Sequence, residues 1–203
     1  MTPPTTPPEM AELILDQATA LFDQKGYAAV SMREICAACG VTKPTLYYYF
    51  ADKETLYVDT LLRRLKGFRA TVAAHSADET VRGRLTRLAV AIFDRMHTNV
   101  DVMMHDMENI TNPAHHERLG AAFGSELYGP ILAAIVEGMQ CGEVRSGDPA
   151  LFTKTYLGML NAFIAEPPSS HAPAAIEWIT LPTAPAARAE LVLDLIFQGI
   201  GAH

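Results

Sequence analysis

Residues 31–53 read SMREICAACGVTKPTLYYYFADK, and this stretch decides the fold. Ser31 followed by Glu34 matches a capping box, in which a hydroxyl and a carboxylate satisfy backbone N–H groups at a helix start. Gly40 can end that short helix, and Thr42 can cap the next one. Two short helices joined by a turn have the spacing of a helix-turn-helix, in which the second helix enters the major groove of DNA and the first crosses the phosphate backbone.

The second helix, predicted over residues 43–50, should have one buried and one outward side. At about 100° per residue, the buried side holds Leu46, Tyr49 and Phe50. The opposite side holds Pro44, Tyr47 and Tyr48. Exposed tyrosine rings do not favour solubility. A phenol can, however, donate a hydrogen bond to a phosphate, and its ring can contact a thymine methyl group. The outward side is therefore predicted to meet DNA, with Lys53 adding a charge beside a helix N-terminus.

The segment from about residue 13 to residue 62 resembles the N-terminal region of TetR-family transcriptional regulators, above all from Gly40 through Phe50 and at Lys53. The resemblance implies a three-helix DNA-binding domain followed by a helical domain that binds a small effector and dimerises. It also implies phosphate contacts by Thr45, Tyr47 and Lys53, and base contacts by Thr42, Lys43, Pro44 and Tyr48. Ser31 and Arg33, on the preceding helix, complete the predicted DNA contacts. The family often has glycine or alanine where this chain has Pro44, and histidine where it has Tyr48, so its base preference is open.

Helical spacing continues through the rest of the chain, and no period-two run indicates a sheet. We therefore predict an all-α fold of about nine helices. Residues 1–8 should be a disordered, proline-rich leader, residues 9–52 the helix-turn-helix domain, and residues 53–203 the effector-binding and dimerisation domain. A long fourth helix should run from Asp52 to about Ala74. Asn112-Pro113 and Asp148-Pro149 should start two more helices, and Gly129-Pro130 should break the helix that it interrupts.

Charge is unevenly divided along the 203 residues, whose net charge is −7. Residues 22–66 hold seven Lys/Arg and five Asp/Glu, whereas residues 67–203 hold nine and fifteen. This division favours DNA contact at the N-terminal end only. A membrane span and a secretory signal are not indicated, and three cysteines without disulfide spacing fit a reducing compartment. We therefore expect a cytoplasmic protein.

The middle and last helices carry the predictions for effector and dimer. The residues expected to line a pocket for a small hydrophobic or aromatic effector are Phe93, Met96, His97, Met103, Met104, His105, Met107, Phe123, Tyr128 and Tyr156. Helices near 149–165 and 186–200 have wide apolar stripes and are predicted to form the homodimer interface. The function predicted from all this is a homodimeric repressor that binds a palindromic operator and is released by the effector.

The alternative is a metal- or redox-responsive sensor on the same scaffold. Cys36 and Cys39 could form a reactive or metal-binding pair, although both fall on the apolar face of their helix. The methionines and histidines between 96 and 108 could hold a soft metal, although methionine more often fills adaptable cavities. His115-His116 is expected on a solvated turn. Motifs of phosphate-binding, serine-hydrolase or zinc-hydrolase catalysis do not occur, so neither an enzyme nor a cofactor is predicted.

Overall fold

A computed structural model describes residues 6–74, 79–96, 107–164 and 182–200, with the side chains of 198–200 excepted. The described residues form ten α-helices and one π-helical segment, without a β-strand. The helices are α1 Pro7–Lys25, α2 Met32–Cys39, α3 Lys43–Tyr49, α4 Lys53–Leu65, α5 Phe68–Ala73, α6 Val81–Arg95, α7 Pro113–Phe123, α8 Gly129–Cys141, α9 Pro149–Ile164 and α10 Pro185–Ile200. The π-helical segment is Gly124–Tyr128. The predicted all-α class with an N-terminal helix-turn-helix is confirmed.

The described residues fall into two compact units. One contains the residues up to Arg64 together with those from 107 to Ala121, and the other contains the remaining described residues. The core of the first unit is apolar and includes Ile14, Ile35, Leu46 and Leu56, all fully buried. The sequence pattern placed residues 107–121 in the second domain, but the fold assigns them to the core of the first through Ile110 and Leu119.

The second unit packs α6 against α5, α8 and α10. Tyr156 of α9 is buried, and its hydroxyl donates to the Leu85 carbonyl of α6 at 2.7 Å. Gly138 allows the chain after α8 to fold back closely, since a Cβ there would lie 2.7 Å from a methyl carbon of Val144. The Val144 N–H completes this return by donating to the Gly138 carbonyl at 2.9 Å.

Most of the predicted helix starts are confirmed, and the differences lie at interruptions. Asn112 and Asp148 accept hydrogen bonds from the backbone N–H groups of Ala114 and Ala150, at 3.0 and 2.9 Å. The predicted long fourth helix is divided into α4 and α5 because Gly67 adopts a left-handed conformation, φ 94°. The chain also becomes helical at Pro7, inside the predicted leader, because Thr6 and Glu9 form a capping box.

The interruption predicted at Gly129-Pro130 takes the form of the π-helical segment directly before it. Proline lacks a backbone N–H and collides with the preceding turn, and a wider turn relieves both problems. Helical stretch 113–141 is long and apolar enough, by length and composition only, to cross a membrane. Two of its charged residues have polar partners: Arg118 pairs with Asp59 at 2.8 Å, and Glu126 accepts from the Gly67 N–H at 2.9 Å.

Candidate nucleic-acid interface

Helix α2 begins with the predicted capping box. The Glu34 N–H donates to Ser31 Oγ at 3.3 Å, and the Ser31 N–H donates to Glu34 Oε2 at 2.9 Å. Glu34 also pairs with Lys25 at the end of α1, with Nζ and Oε1 2.9 Å apart. The hydrogen bonds from Lys25 and Ser31 lower the pKa of Glu34 to about 2. This short helix is therefore fixed both to its own first turn and to α1.

The turn between α2 and α3 depends on Gly40. This residue has φ 66° and ψ 27°, the left-handed conformation that ends many helices and that a side chain disfavours. Thr42 then caps α3, accepting from the Thr45 N–H at 3.4 Å. The Thr42 and Thr45 hydroxyls also lie 2.9 Å apart. Gly40 therefore ends α2 and Thr42 caps α3, as the sequence predicts.

Helix α3 presents the two sides that its sequence predicts. Leu46 and Phe50 are buried in the core of the first unit, and Tyr49 is half-buried. Tyr47 and Tyr48 are 48% and 76% exposed, and Pro44 is exposed as well. The phenol groups of Tyr47 and Tyr48 are thus open to an external partner.

Each of the helices α2, α3 and α4 carries a cation at or near its start. Arg33 and Lys43 are exposed and form no ion pair with any described residue. Lys53 starts α4, donates to the Ala28 carbonyl at 3.3 Å, and has its ammonium 4.2 Å from the centre of the Tyr27 ring. The ammonium group of Lys53 is therefore positioned by the loop between α1 and α2.

Glu54, the next residue of α4, organises a cluster that the sequence did not reveal. Its Oε2 accepts from the Thr111 N–H at 3.1 Å and the Thr111 hydroxyl at 2.9 Å, and its Oε1 accepts from the Asn112 N–H at 2.9 Å. The His115 Nδ1 lies 2.8 Å from Oε1, and His115 is 7% exposed. The expectation of a solvated His115 is therefore wrong, whereas His116 is exposed.

The protonation state of Glu54 follows from these contacts. Burial opposes ionisation, but the hydrogen bonds from Asn112, Thr111 and His115 outweigh it and lower the pKa of Glu54 to about 2. Because an ionised carboxylate can only accept hydrogen bonds, the Nδ1–H group of His115 donates a hydrogen bond to Glu54. The start of α7 is thereby fixed to the first turn of α4, beside Lys53.

The sequence comparisons agree with this geometry. Residues 14–60 match the family model described as bacterial regulatory proteins, tetR family. This match covers α2 and α3 completely and ends within α4. This region of the chain is a TetR-family domain.

Proteins similar to this chain are transcriptional regulators. The HTH-type transcriptional regulator UidR of Escherichia coli K12 is 31% identical over 101 residues, which are 47% of this chain and 51% of UidR. The alignment thus spans about half the length of that relative. The structure of PfmR from Thermus thermophilus, a TetR-family regulator, is similar with a TM-score of 0.70 and 27% identity, covering 92% of this chain and 97% of that one.

FadR from Bacillus subtilis, solved in complex with stearoyl-CoA, also shares the fold. Its TM-score is 0.69 at 18% identity, with 93% of this chain and 98% of that chain covered. The fold likeness to PfmR and FadR therefore extends well beyond the helix-turn-helix. It reaches the part of the chain predicted to hold an effector.

The predicted effector residues are only partly described. His97, Met103, Met104 and His105 lie outside the described residues. Phe93, Met96 and Tyr156 are buried in the second unit. Phe123 directly precedes the π-helical segment and Tyr128 is its last residue, and their ring centres are 6.4 Å apart. Met107 instead packs against the core of the first unit. Their role in effector binding stays a prediction.

A cavity of about 420 Å³ lies elsewhere in the second unit, among α5, α6, the π-helical segment and α8. None of the ten predicted effector residues lines it. Two arginines do, Arg69 and the buried Arg84. The sequence reasoning missed this cavity because neither arginine stands in a recognisable motif.

The cysteine geometry bears on the sensor alternative. Cys36 is buried, and burial together with the neighbouring Cys36 thiol raises the pKa of Cys39 to about 11. A thiol must lose its proton to attack a disulfide or bind a metal, so this pair is poorly suited to either task. Within the described ranges, no three His, Cys, Asp or Glu side chains are grouped to hold a metal ion.

Proposed function

We propose that this chain is a homodimeric, ligand-responsive repressor that acts in the cytoplasm. It binds a palindromic double-stranded DNA operator through α2 and α3 and is released by a small, mostly hydrophobic effector. Each protomer inserts α3 in the major groove, with base contacts from Thr42, Lys43, Pro44 and Tyr48. Phosphates are held by Thr45, Tyr47 and Lys53, and Ser31 and Arg33 add contacts from α2.

The observation that carries the proposal is the outer side of α3. Tyr47 and Tyr48 stay exposed, although Leu46 on the opposite side of the same helix is fully buried in the core. An aromatic and cationic surface of this size suits phosphate and base edges, because phenols donate hydrogen bonds and arginine and lysine neutralise phosphate charge.

Dimerisation is supported by the apolar surfaces of α9 and α10. Leu151 and Leu195 are large, apolar and about half exposed, at 57% and 47%. At Gly158 of α9 nothing lies within 4 Å of where a Cβ would be, so a second helix can approach closely there. Two copies of α3 held about 34 to 36 Å apart would meet successive major grooves on one face of the duplex.

Release by an effector is supported by the second unit and by the Glu54 cluster. FadR, which shares this fold, was solved with stearoyl-CoA, and a ligand-holding role for the second unit is proposed by that likeness. Helix α7 continues in the chain directly into the π-helical segment. Because Glu54 fixes the start of α7 to α4, an effector that displaces α7 would also displace Lys53 and weaken DNA binding.

The test is in vitro selection of duplexes from a random library, followed by fluorescence anisotropy at several salt concentrations. Selected sites should contain inverted half-sites about one helical turn apart. The double variant Tyr47→Ala/Lys53→Ala should bind at least about tenfold more weakly at low salt. In a plot of the logarithm of its binding constant against the logarithm of salt concentration, the slope should be less steep by about one unit because one lysine–phosphate contact is lost.

Two control variants separate phosphate contacts from general effects. Lys66→Ala removes an equal charge from an exposed position directly after α4, beyond the end of that helix opposite to Lys53, and should leave DNA affinity unchanged. Tyr47→Phe removes only a hydroxyl and should give an intermediate loss. DNA affinity that survives the double variant at low salt would refute the proposed interface.

A further inference from the structure

Arg84 of α6 is a buried guanidinium with unused donors. The residue is 4% exposed, and its Nη2 lies 2.9 Å from Glu137 Oε2. Its Nε is buried and has no hydrogen-bond partner among the described residues. A guanidinium carries five N–H donors, and the ion pair with Glu137 leaves at least the Nε–H of Arg84 unused.

Stability alone does not explain this arrangement. Removing a guanidinium from water costs several kcal/mol, on the order of what a single ion pair returns, and an apolar side chain of similar volume is often more stable. Glu137 is also the more exposed partner, with 55% of its side chain accessible. The positive charge of buried Arg84 is therefore only partly balanced by Glu137.

Arg84 lies at a cavity that a second arginine also lines. Arg84 lines the cavity of about 420 Å³, a volume within the range of small-molecule sites. Arg69 of α5 supplies a second guanidinium and forms no ion pair with a described residue. Glu137 is the one carboxylate among the lining residues, so the lining carries a net charge of one positive unit.

The remaining walls are apolar or small. Val72, Pro130 and Ala134 provide apolar surface, while Gly124 and Ser125 bring the π-helical segment to the edge of the cavity. Such segments occur frequently at functional sites because the wider turn changes which side chains face a neighbour. The cavity thus combines a cationic end with an apolar body.

We propose that this cavity binds a small amphipathic monoanion, whose carboxylate or sulfonate pairs with Arg84 while its apolar part lies against α5 and α8. Binding needs only the second unit, whereas an effect of the anion on DNA rests on the proposed function. A bound anion pairs with the guanidinium of Arg84 and competes with Glu137 for it.

The test uses two fluorescent probes with the same ring system. The anion 8-anilinonaphthalene-1-sulfonate carries a sulfonate, and the neutral N-phenyl-1-naphthylamine does not. Fluorescence titration of the full chain should show at least tenfold tighter binding of the anion. Octanoate should displace the anionic probe, and octanol at the same concentration should not.

Variants then locate the anion. Arg84→Gln should weaken binding of the anionic probe at least tenfold, about 1.4 kcal/mol, and should change affinity for the neutral probe less than twofold. Glu137→Gln removes the competing carboxylate from an exposed position and should tighten anion binding about threefold or more. Arg82→Gln, on the same helix but outside the lining, is the matched control and should leave both affinities unchanged.

The outcomes distinguish this site from the proposed function. Equal affinity for the two probes, or an anion affinity that neither Arg84→Gln nor Glu137→Gln changes, would overturn the site. The Glu137→Gln arm decides the matter even if Arg84→Gln fails to fold. A third outcome is that the anion binds through Arg84 without changing the affinity for the selected DNA. That outcome would support the anion site and refute the proposal that a ligand in this cavity releases the DNA.

Discussion

Replacing Glu54 by glutamine tests the cluster that fixes the start of α7 to α4. Each carboxylate oxygen accepts two hydrogen bonds: Oε1 those of Asn112 and His115, and Oε2 both of those from Thr111. An amide keeps one oxygen and turns an NH₂ group towards the other two donors. Because the backbone N–H groups of Thr111 and Asn112 can only donate, either orientation loses at least one hydrogen bond as well as the charge.

The expected cost depends on which donors are left. Thr111 and Asn112 are exposed and can bind water, but the 7% exposed His115 cannot do so freely. A hydrogen bond to a charged group contributes about 1.5 to 3 kcal/mol, and water replaces part of it at the exposed donors, so Glu54→Gln should destabilise by about 2 kcal/mol. In a chain of this length that corresponds to a fall in Tm of about 4 to 8 °C.

Thermal unfolding followed by circular dichroism measures this change. Glu117→Gln is the matched control, since Glu117 is exposed on α7 and has no ion pair with a described residue. The folded pKa of Glu54 is lowered from 4.5 to about 2, so its contribution is complete above the unfolded value and is lost as pH falls through the folded one. The Tm difference between Glu54→Gln and wild type should therefore shrink from pH 4.5 towards pH 2.

Amide hydrogen exchange gives a local measurement of the same cluster. The N–H group of Thr111 or that of Asn112, whichever faces the new amide NH₂ group, should exchange faster in Glu54→Gln because it loses its acceptor. A Tm within about 1 °C of wild type, together with unchanged exchange at both residues, would refute the role given to Glu54.

Three further predictions follow from single contacts. Gly40→Ala should lower the free energy of unfolding by about 1 to 2 kcal/mol in urea denaturation, since φ is 66° and no atom lies within 4 Å of the added methyl group; an unchanged midpoint would contradict the backbone argument. Tyr156→Phe should cost about 1 kcal/mol by the same assay, because it removes the hydrogen bond to the Leu85 carbonyl, and a stabilised variant would show that this bond contributes nothing. Iodoacetamide at pH 7 should label the exposed Cys141 well before Cys39, whose pKa is raised to about 11, and mass spectrometry that finds Cys39 labelled first would argue for a reactive pair.

The helix-turn-helix could be predicted from sequence because its signals are local. Ser31 and Glu34 are three residues apart, and the left-handed turn at Gly40 and the cap at Thr42 need no distant partner. The sides of α3 followed from helical geometry, since Leu46 and Tyr48 differ in direction by about 200°. Such short-range chemistry can be worked out before any tertiary contact is known.

The effector region was less predictable. Its methionines and aromatics suggested an apolar pocket, but the described cavity lies among residues with no shared spacing, such as Arg69 and Arg84. A periodic pattern reports which side of one helix is apolar, whereas a cavity depends on how several helices fail to fill the space between them. Sequence composition therefore indicated neither the position nor the charge of this cavity.

By itself, the sequence determined the helices, their caps and the outward aromatic side of α3, because hydrogen bonds and apolar spacing within a few residues are enough to specify them. Only the tertiary structure decided that His115 is buried against Glu54, 61 residues away, and that Arg84 faces a partly apolar cavity. The protonation and charge pairing of such groups depend on which distant segments exclude water from them, and that exclusion exists only once the chain has packed.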